Sequence, residues 1–155
     1  MPLHELLRKS ARLPARDWWL LTEAGVLAIG VEGALRVLPL SRVVRWCEQG
    51  RSTKRLWPGA TLDVLALAAR RPYHVLPWPS TCLRRSLVLT ALLRRRGRPA
   101  TVRFGVRRQA ELLLAHAWVE CDDAVVDAAA GDGYEALEPA LVSPAGVSRI
   151  VRWSP

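Results

Sequence analysis

Three side chains in this chain could together perform acyl chemistry: Cys82, His116 and Asp127. A thiolate attacks a carbonyl, an imidazole takes and returns the proton, and a carboxylate holds the imidazole in one tautomer and stabilises its charged form. The order Cys, His, Asp proves little by itself. A buried structural thiol is a common fate for cysteine, and a lone histidine in an apolar strand is more often a packed residue than a catalyst. What matters is whether the surrounding segments can place the three groups together.

Cys82 follows Pro77, Trp78 and Pro79, which force an extended approach. Ser80-Thr81 then opens a helix that runs through Arg96 and stops at Gly97, with Pro99 beyond it. Cys82 therefore falls in the first turn. The N–H groups there lack helical partners and the helix dipole favours negative charge, so a thiolate or an oxyanion would be stabilised. Arg84 and Arg85 add positive potential.

His116 lies in Leu112 to Glu120, a continuously apolar segment that reads as a central strand. Ala100 to Val106 alternates apolar with Thr101, Arg103 and Gly105, the pattern of a strand with one buried face. Asp122-Asp123 reads as a turn into a third strand, Ala124 to Ala128. If Cys121 faces Ala124 across that turn, His116 faces Ala129, and Asp127 becomes a diagonal neighbour on the face of His116. A one-residue slip would turn Asp127 to the other face.

Other residues near this constellation have weaker signals. The Trp78 indole N–H could complete an oxyanion hole, although ring packing is the commoner role. Trp118 shares the face of His116 and could shield it. Glu120 lies further along that face and is a lesser candidate than Asp127 for the orienting acid. His74, Cys47 and Cys121 read as structural.

The upstream half is helical in pattern. Leu3 to Leu13 is a short helical stretch closed by Pro14. A long helix follows through Leu38, with Asp17 as its N-cap and Pro39 as its end. Within it Glu32 and Arg36 stand four apart and can pair. Ser41 caps a third helix to Gln49, Gly50 to Gly59 reads as a loop, and Thr61 to Ala69 is helical, extending toward Tyr73. Segregated helices followed by a hairpin indicate an α+β fold rather than a doubly wound sheet. The 155 residues fit one domain: a helical subregion over 1–79, the catalytic helix and strands over 80–130, and a surface tail over 131–155.

Composition narrows the partners. Arg outnumbers Lys 21 to 2, and the net charge is +9. Between Asp63 and Glu111 there are eleven Arg and no acid, and from Glu111 to Glu138 eight acids and no Lys or Arg. Such a surface suits an acidic peptide, a nucleic acid or an anionic membrane, or else its arginines solvate helix ends and pair with the acids of the next segment. No nucleic-acid motif accompanies it. The three cysteines form no CxxC pair, so neither a zinc site nor a disulfide framework is signalled, no cofactor is implied, and a reducing cytoplasm is the expected home. The start lacks a signal-peptide shape, and Glu23, Glu32 and Arg36 argue against a membrane span between Trp18 and Leu38.

Five blocks occur in order: Cys82-Leu83-Arg84-Arg85-Ser86-Leu87-Val88-Leu89, Leu92 to Gly97, Val102 to Arg107, Ala115-His116-Ala117-Trp118-Val119-Glu120, and Val125-Val126-Asp127. Together they resemble the stand-alone, transglutaminase-like (papain-like) leader peptidase of lasso-peptide biosynthesis. The resemblance implies cleavage of a ribosomally made precursor between leader and core, with Cys82 as nucleophile, His116 as base and Asp127 as orienting acid. It also implies a separate leader-recognition protein, because the residues before Ser80 read as helices rather than as a strand-rich recognition domain. An ATP-dependent cyclase would act on the freed core. Two other functions stay open on the residues alone: an acyltransferase or amidase using the same three groups on another peptide, and a non-enzymatic basic interaction module.

Overall fold

The structure is a computed structural model that describes residues 15–50, 59–109, 112–126 and 134–137. Helix α1 spans Ala15–Val37, α2 Leu40–Glu48, α3 Leu62–Arg70, a 3-10 turn Arg71–His74, and α4 Cys82–Arg95; strands follow at β1 Ala100–Gln109, β2 Leu112–Cys121, β3 Ala124–Val125 and β4 Glu135–Ala136. The strands form one antiparallel sheet in the order β3-β2-β1-β4. This is the expected α+β arrangement, helices first and the sheet after them. The helix expected over Leu3 to Leu13, most of the Gly50 to Gly59 loop, Asp127, and the tail apart from 134–137 lie outside the described residues.

Helix α4 is the centre of the molecule. Ser86 through Leu93 are all buried, so every side of the helix is covered at once. It packs against α1, α2 and α3 on one side and β1 and β2 on the other. The core joins Leu87, Val88, Leu92 and Leu93 to Leu27, Ala28 and Val31 of α1, Val43 and Cys47 of α2, Leu65 of α3, and Ala100, Val102, Val119 and Cys121 of the sheet.

Some helix ends differ from the sequence reading. Asp17 is not the N-cap of α1: the helix already runs from Ala15, and Asp17 sits in its first turn, where a carboxylate still complements the dipole. Nor does Ser41 cap α2. The helix starts one residue earlier, directly after Pro39, whose carbonyl accepts from Arg42 N at 2.9 Å and Val43 N at 3.3 Å. The fixed φ of proline sets the entry that a serine side chain would otherwise secure. Thr61 does cap α3, its hydroxyl accepting from Val64 N at 3.4 Å.

The hairpin has the expected register. Asp122 and Asp123 both adopt positive φ, 52° and 61°, as a two-residue type I′ turn requires. Cys121 pairs with Ala124 and Glu120 with Val125, and Val126 N donates to Val119 O at 2.9 Å, which carries the register one pair further. The tail contributes more than surface: Glu135–Ala136 adds an edge strand opposite Gly105 and Val106.

Candidate active site

The first turn of α4 is built as its sequence requires. Thr81 is extended (φ −81°, ψ 156°) and its hydroxyl accepts from Arg84 N at 3.4 Å, making Cys82 the first helical residue. The approach is held by the Pro79 carbonyl, which accepts from Thr81 N at 3.0 Å and from the Arg84 guanidinium at 3.3 Å. Cys82 is half-buried, whereas Cys47 and Cys121 are buried. Burial pushes the Cys47 thiol up to about 12, with Glu48 adding to the rise. Burial, and the bond its thiol makes to Asp122 at 3.5 Å, take Cys121 to about 11. Those two stay protonated at neutral pH and are poor nucleophiles. Cys82 is the thiol that combines access with a helix start.

His116 sits in the middle of β2. Side chains of a strand alternate, and Ala117, Val119 and Cys121 point to the α4 side, where all three are buried. His116, Trp118 and Glu120 alternate with them, so the strand pattern by itself does not turn His116 toward α4 and Cys82. The His116 and Trp118 rings stack with centroids 6.4 Å apart, so the structure joins these two expected site residues. Opposite His116 in the ladder stands Gly105. A Cβ there would lie 2.7 Å from two Trp118 ring carbons and 2.8 Å from Glu135 O, so only glycine admits both the ring and the edge strand.

Helix and strand share a buried polar contact. Ser86 Oγ donates to Ala117 O at 3.1 Å, in a buried position. Ala115 and Ala117, flanking His116, present only methyl groups toward the helix, which allows this close approach. α4 leads through Gly97 into β1 and β2 runs back antiparallel to β1, so the start of α4 points toward the Leu112 end of β2. Cys82 is one helical turn before Ser86, roughly 6 Å, or about two strand residues. Cys82 therefore lies beyond Ser86 toward the Leu112 end of β2.

The remaining candidates divide clearly. Trp78 is half-buried, and the Arg36 guanidinium lies over its ring, 5.4 Å from the centroid. The position of Asp127 is outside the described residues; the register that would bring it to the His116 face holds as far as Val126. Glu120 is engaged elsewhere, accepting from Arg103 Nε at 2.8 Å and from the Trp118 indole at 3.4 Å. It also stands four residues from His116, roughly 13 Å along a strand, too far to orient the imidazole.

Two features were missed by sequence reasoning. Tyr134 packs on His116 at 5.1 Å between ring centroids and lies under the Arg107 guanidinium at 4.9 Å. Its only sequence signal was an aromatic residue in an otherwise Gly- and acid-rich segment. The arginines of the basic stretch are also less available than their number implied. Arg84 bonds Glu32 at 2.7 Å, Arg95 and Arg96 bond Glu23 at 2.8 and 2.7 Å, and Arg103 bonds Glu120. The positive potential expected from Arg84 beside Cys82 is therefore offset by a buried carboxylate. None of the described helices is long and apolar enough to cross a membrane.

A family model described as the Transglutaminase-like superfamily matches residues 25–141, three-quarters of the chain, and the chain belongs to that superfamily. No curated protein and no solved structure matches it.

Proposed function

We propose that this member of the Transglutaminase-like superfamily is a cysteine peptidase that cleaves the leader from a lasso-peptide precursor, with Cys82, His116 and Asp127 as its catalytic groups. The observation that carries the reading is the setting of Cys82: a half-buried thiol at the first residue of α4, in a chain whose other two thiols are buried and protonated. The five sequence blocks that resemble the lasso leader peptidases supply the substrate class.

In this reading the Cys82 thiolate attacks the carbonyl at the leader–core junction. Free N–H groups of the first turn of α4 steady the oxyanion. His116 passes its proton to the leaving amine, freeing the core, and water then releases the leader from the thioester. Asp127 fixes the His116 tautomer. Trp118 and Tyr134 flank the imidazole and restrict its rotation. A separate leader-recognition protein would hold the peptide, raising the effective concentration of the scissile bond and offsetting the entropy lost when a flexible segment enters the cleft.

The test is cleavage of a lasso precursor encoded beside this gene, with its leader-binding protein, followed by mass spectrometry. Cys82→Ala should abolish cleavage while leaving the circular dichroism spectrum unchanged. Retained cleavage would sink the reading. Transfer of the leader to an added amine in preference to water would identify the acyltransferase instead. The wild-type chain should cleave poorly without the leader-binding protein, and full activity alone would remove the partner.

A further inference from the structure

The segment that delivers Cys82 is held by a residue fifty positions upstream. Glu32 is a buried acid of α1, its side chain only 5% exposed. It accepts two bonds from Arg84, from Nε at 2.7 Å and Nη2 at 3.3 Å, and one from Arg36 Nη2 at 2.9 Å. Each arginine then reaches the approach to Cys82. Arg84 Nη1 donates to the carbonyl of Pro79, and the Arg36 guanidinium covers the ring of Trp78. Arg84 is itself the residue whose backbone N–H is capped by Thr81. Trp78, Pro79, Thr81 and the first turn of α4 are thus tied to one carboxylate. Tyr73 is buried beside the cluster and feels both Arg84 and Glu32.

We infer that Glu32 is a positioning residue for the Cys82 nucleophile, acting through Arg84 and Arg36 to fix the Trp78–Thr81 approach and the first turn of α4. The inference rests on the reading of Cys82 as nucleophile. A guanidinium fork suits this role because it can hold a carboxylate and a carbonyl at once in fixed directions. Catalytic rate is sensitive to such placement: displacement of a reacting group by about 1 Å costs on the order of a hundredfold.

The molecule contains its own control. Glu23, on the same helix, makes an equivalent tie to Arg95 and Arg96 at the far end of α4. If Glu32 only stabilised the α1–α4 contact, losing either glutamate would have the same consequences.

The experiment measures acetylation of Cys82 by p-nitrophenyl acetate, at a temperature where every variant is folded. The thiolate attacks the acetyl carbonyl, a C–S bond forms, and p-nitrophenolate leaves with the electrons of the broken C–O bond; mass spectrometry assigns the acetyl group to its cysteine. Glu32→Gln should slow the reaction by about tenfold or more. Because that variant leaves arginines uncompensated and could fail to fold, Glu32→Met with Arg84→Met removes both charges of the buried pair and should show the same slowing. Glu32→Asp keeps the charge and should recover to within about threefold of the wild-type rate. Glu23→Gln should lower the melting temperature yet stay within about twofold in rate. A wild-type rate in the double variant, or equal slowing by Glu23→Gln and Glu32→Gln, would overturn the inference. If the wild-type protein is acetylated elsewhere and not at Cys82, the nucleophile reading itself fails, and the positioning role with it.

Discussion

At its C-terminal end α4 is closed several times over, whereas at its N-terminal end it is held but left accessible. Gly97, at φ 75°, lets the chain fold back so that Gly97 N donates to Arg94 O at 2.9 Å and Arg98 N to Leu93 O at 3.1 Å. That is the Schellman arrangement, and it satisfies the carbonyls of Leu93 and Arg94. Arg96, its side chain 4% exposed, adds a bond to Leu92 O and pairs with Glu23. The N-terminal end carries a matching tie from α1 through Glu32 and Arg84, and a Thr81 cap, but its first residue is a half-buried thiol. The same helix–helix chemistry serves packing at one end and, on the proposed reading of Cys82, places a nucleophile at the other. An ion pair is therefore read by what lies next to it, not by its own geometry.

The sharpest way to break this comparison is at the closed end. Glu23→Gln strands a buried Arg96 and should cost about 3 kcal/mol, or roughly a 6–12 °C fall in melting temperature, with little change at Cys82. Calorimetry checks the first part; a loss below about 1 kcal/mol would show that the end is closed by its backbone bonds alone. The smaller pair of changes is Thr81→Ala and Gly97→Ala. Each should cost about 1 kcal/mol, the first by losing a cap and the second by forcing a Cβ into the left-handed region. Only Thr81→Ala should also slow Cys82 acetylation, and equal rates in the two variants would erase the distinction between the ends.

The effect that vanishes at neutral pH concerns the buried thiols. Burial raises Cys47 from 9.0 to about 12 and Cys121 from 9.0 to about 11. An unfolded thiol loses its proton sooner than a folded one, so above pH 9 the unfolded state binds fewer protons and stability falls as pH rises. The loss should begin near pH 9 and level off for Cys121 near 11 and for Cys47 near 12. Melting curves at successive alkaline pH values should show it, with a shallower decline in Cys47→Ala. An unchanged slope would mean that the thiol is not buried as described.

What the sequence made legible was local. The bounds of α4, its Thr81 cap and its stop at Gly97 all follow from residues within one turn of the feature they control. The hairpin register followed from Asp122-Asp123 and the alternation beside it. The ion-pair partners were not legible. Glu23 was informative only as a charge too costly for a bilayer, and Glu32 beyond that only through Arg36 on its own helix, because nothing local shows that their other partners lie on or beside α4. Tyr134 was hidden for the same reason: its place against His116 comes from an edge strand only two residues long. The Glu32–Arg36 pair was readable, being one helical turn apart, but its contact with Trp78 was not.

The largely apolar character of α1 has a consequence in time as well as space. Leu20, Ala24, Leu27, Ala28 and Val31 are fully covered only once α4 joins α2, α3 and the 3-10 turn against α1, and Trp18, Trp19, Val26, Ile29 and Val37 remain outward even then. During synthesis α1 is complete well before the last residue of α4 has been added. At ribosomal speeds of roughly 5–20 residues per second, that interval lasts several seconds. For that period a nascent helix with apolar residues on several sides lacks its α4 partner, Glu23 waits for arginines not yet made, and Glu32 has only Arg36. The burden of keeping this protein out of aggregates therefore falls on the first moments of its life, and on whatever shields an emerging hydrophobic helix in the cell that makes it.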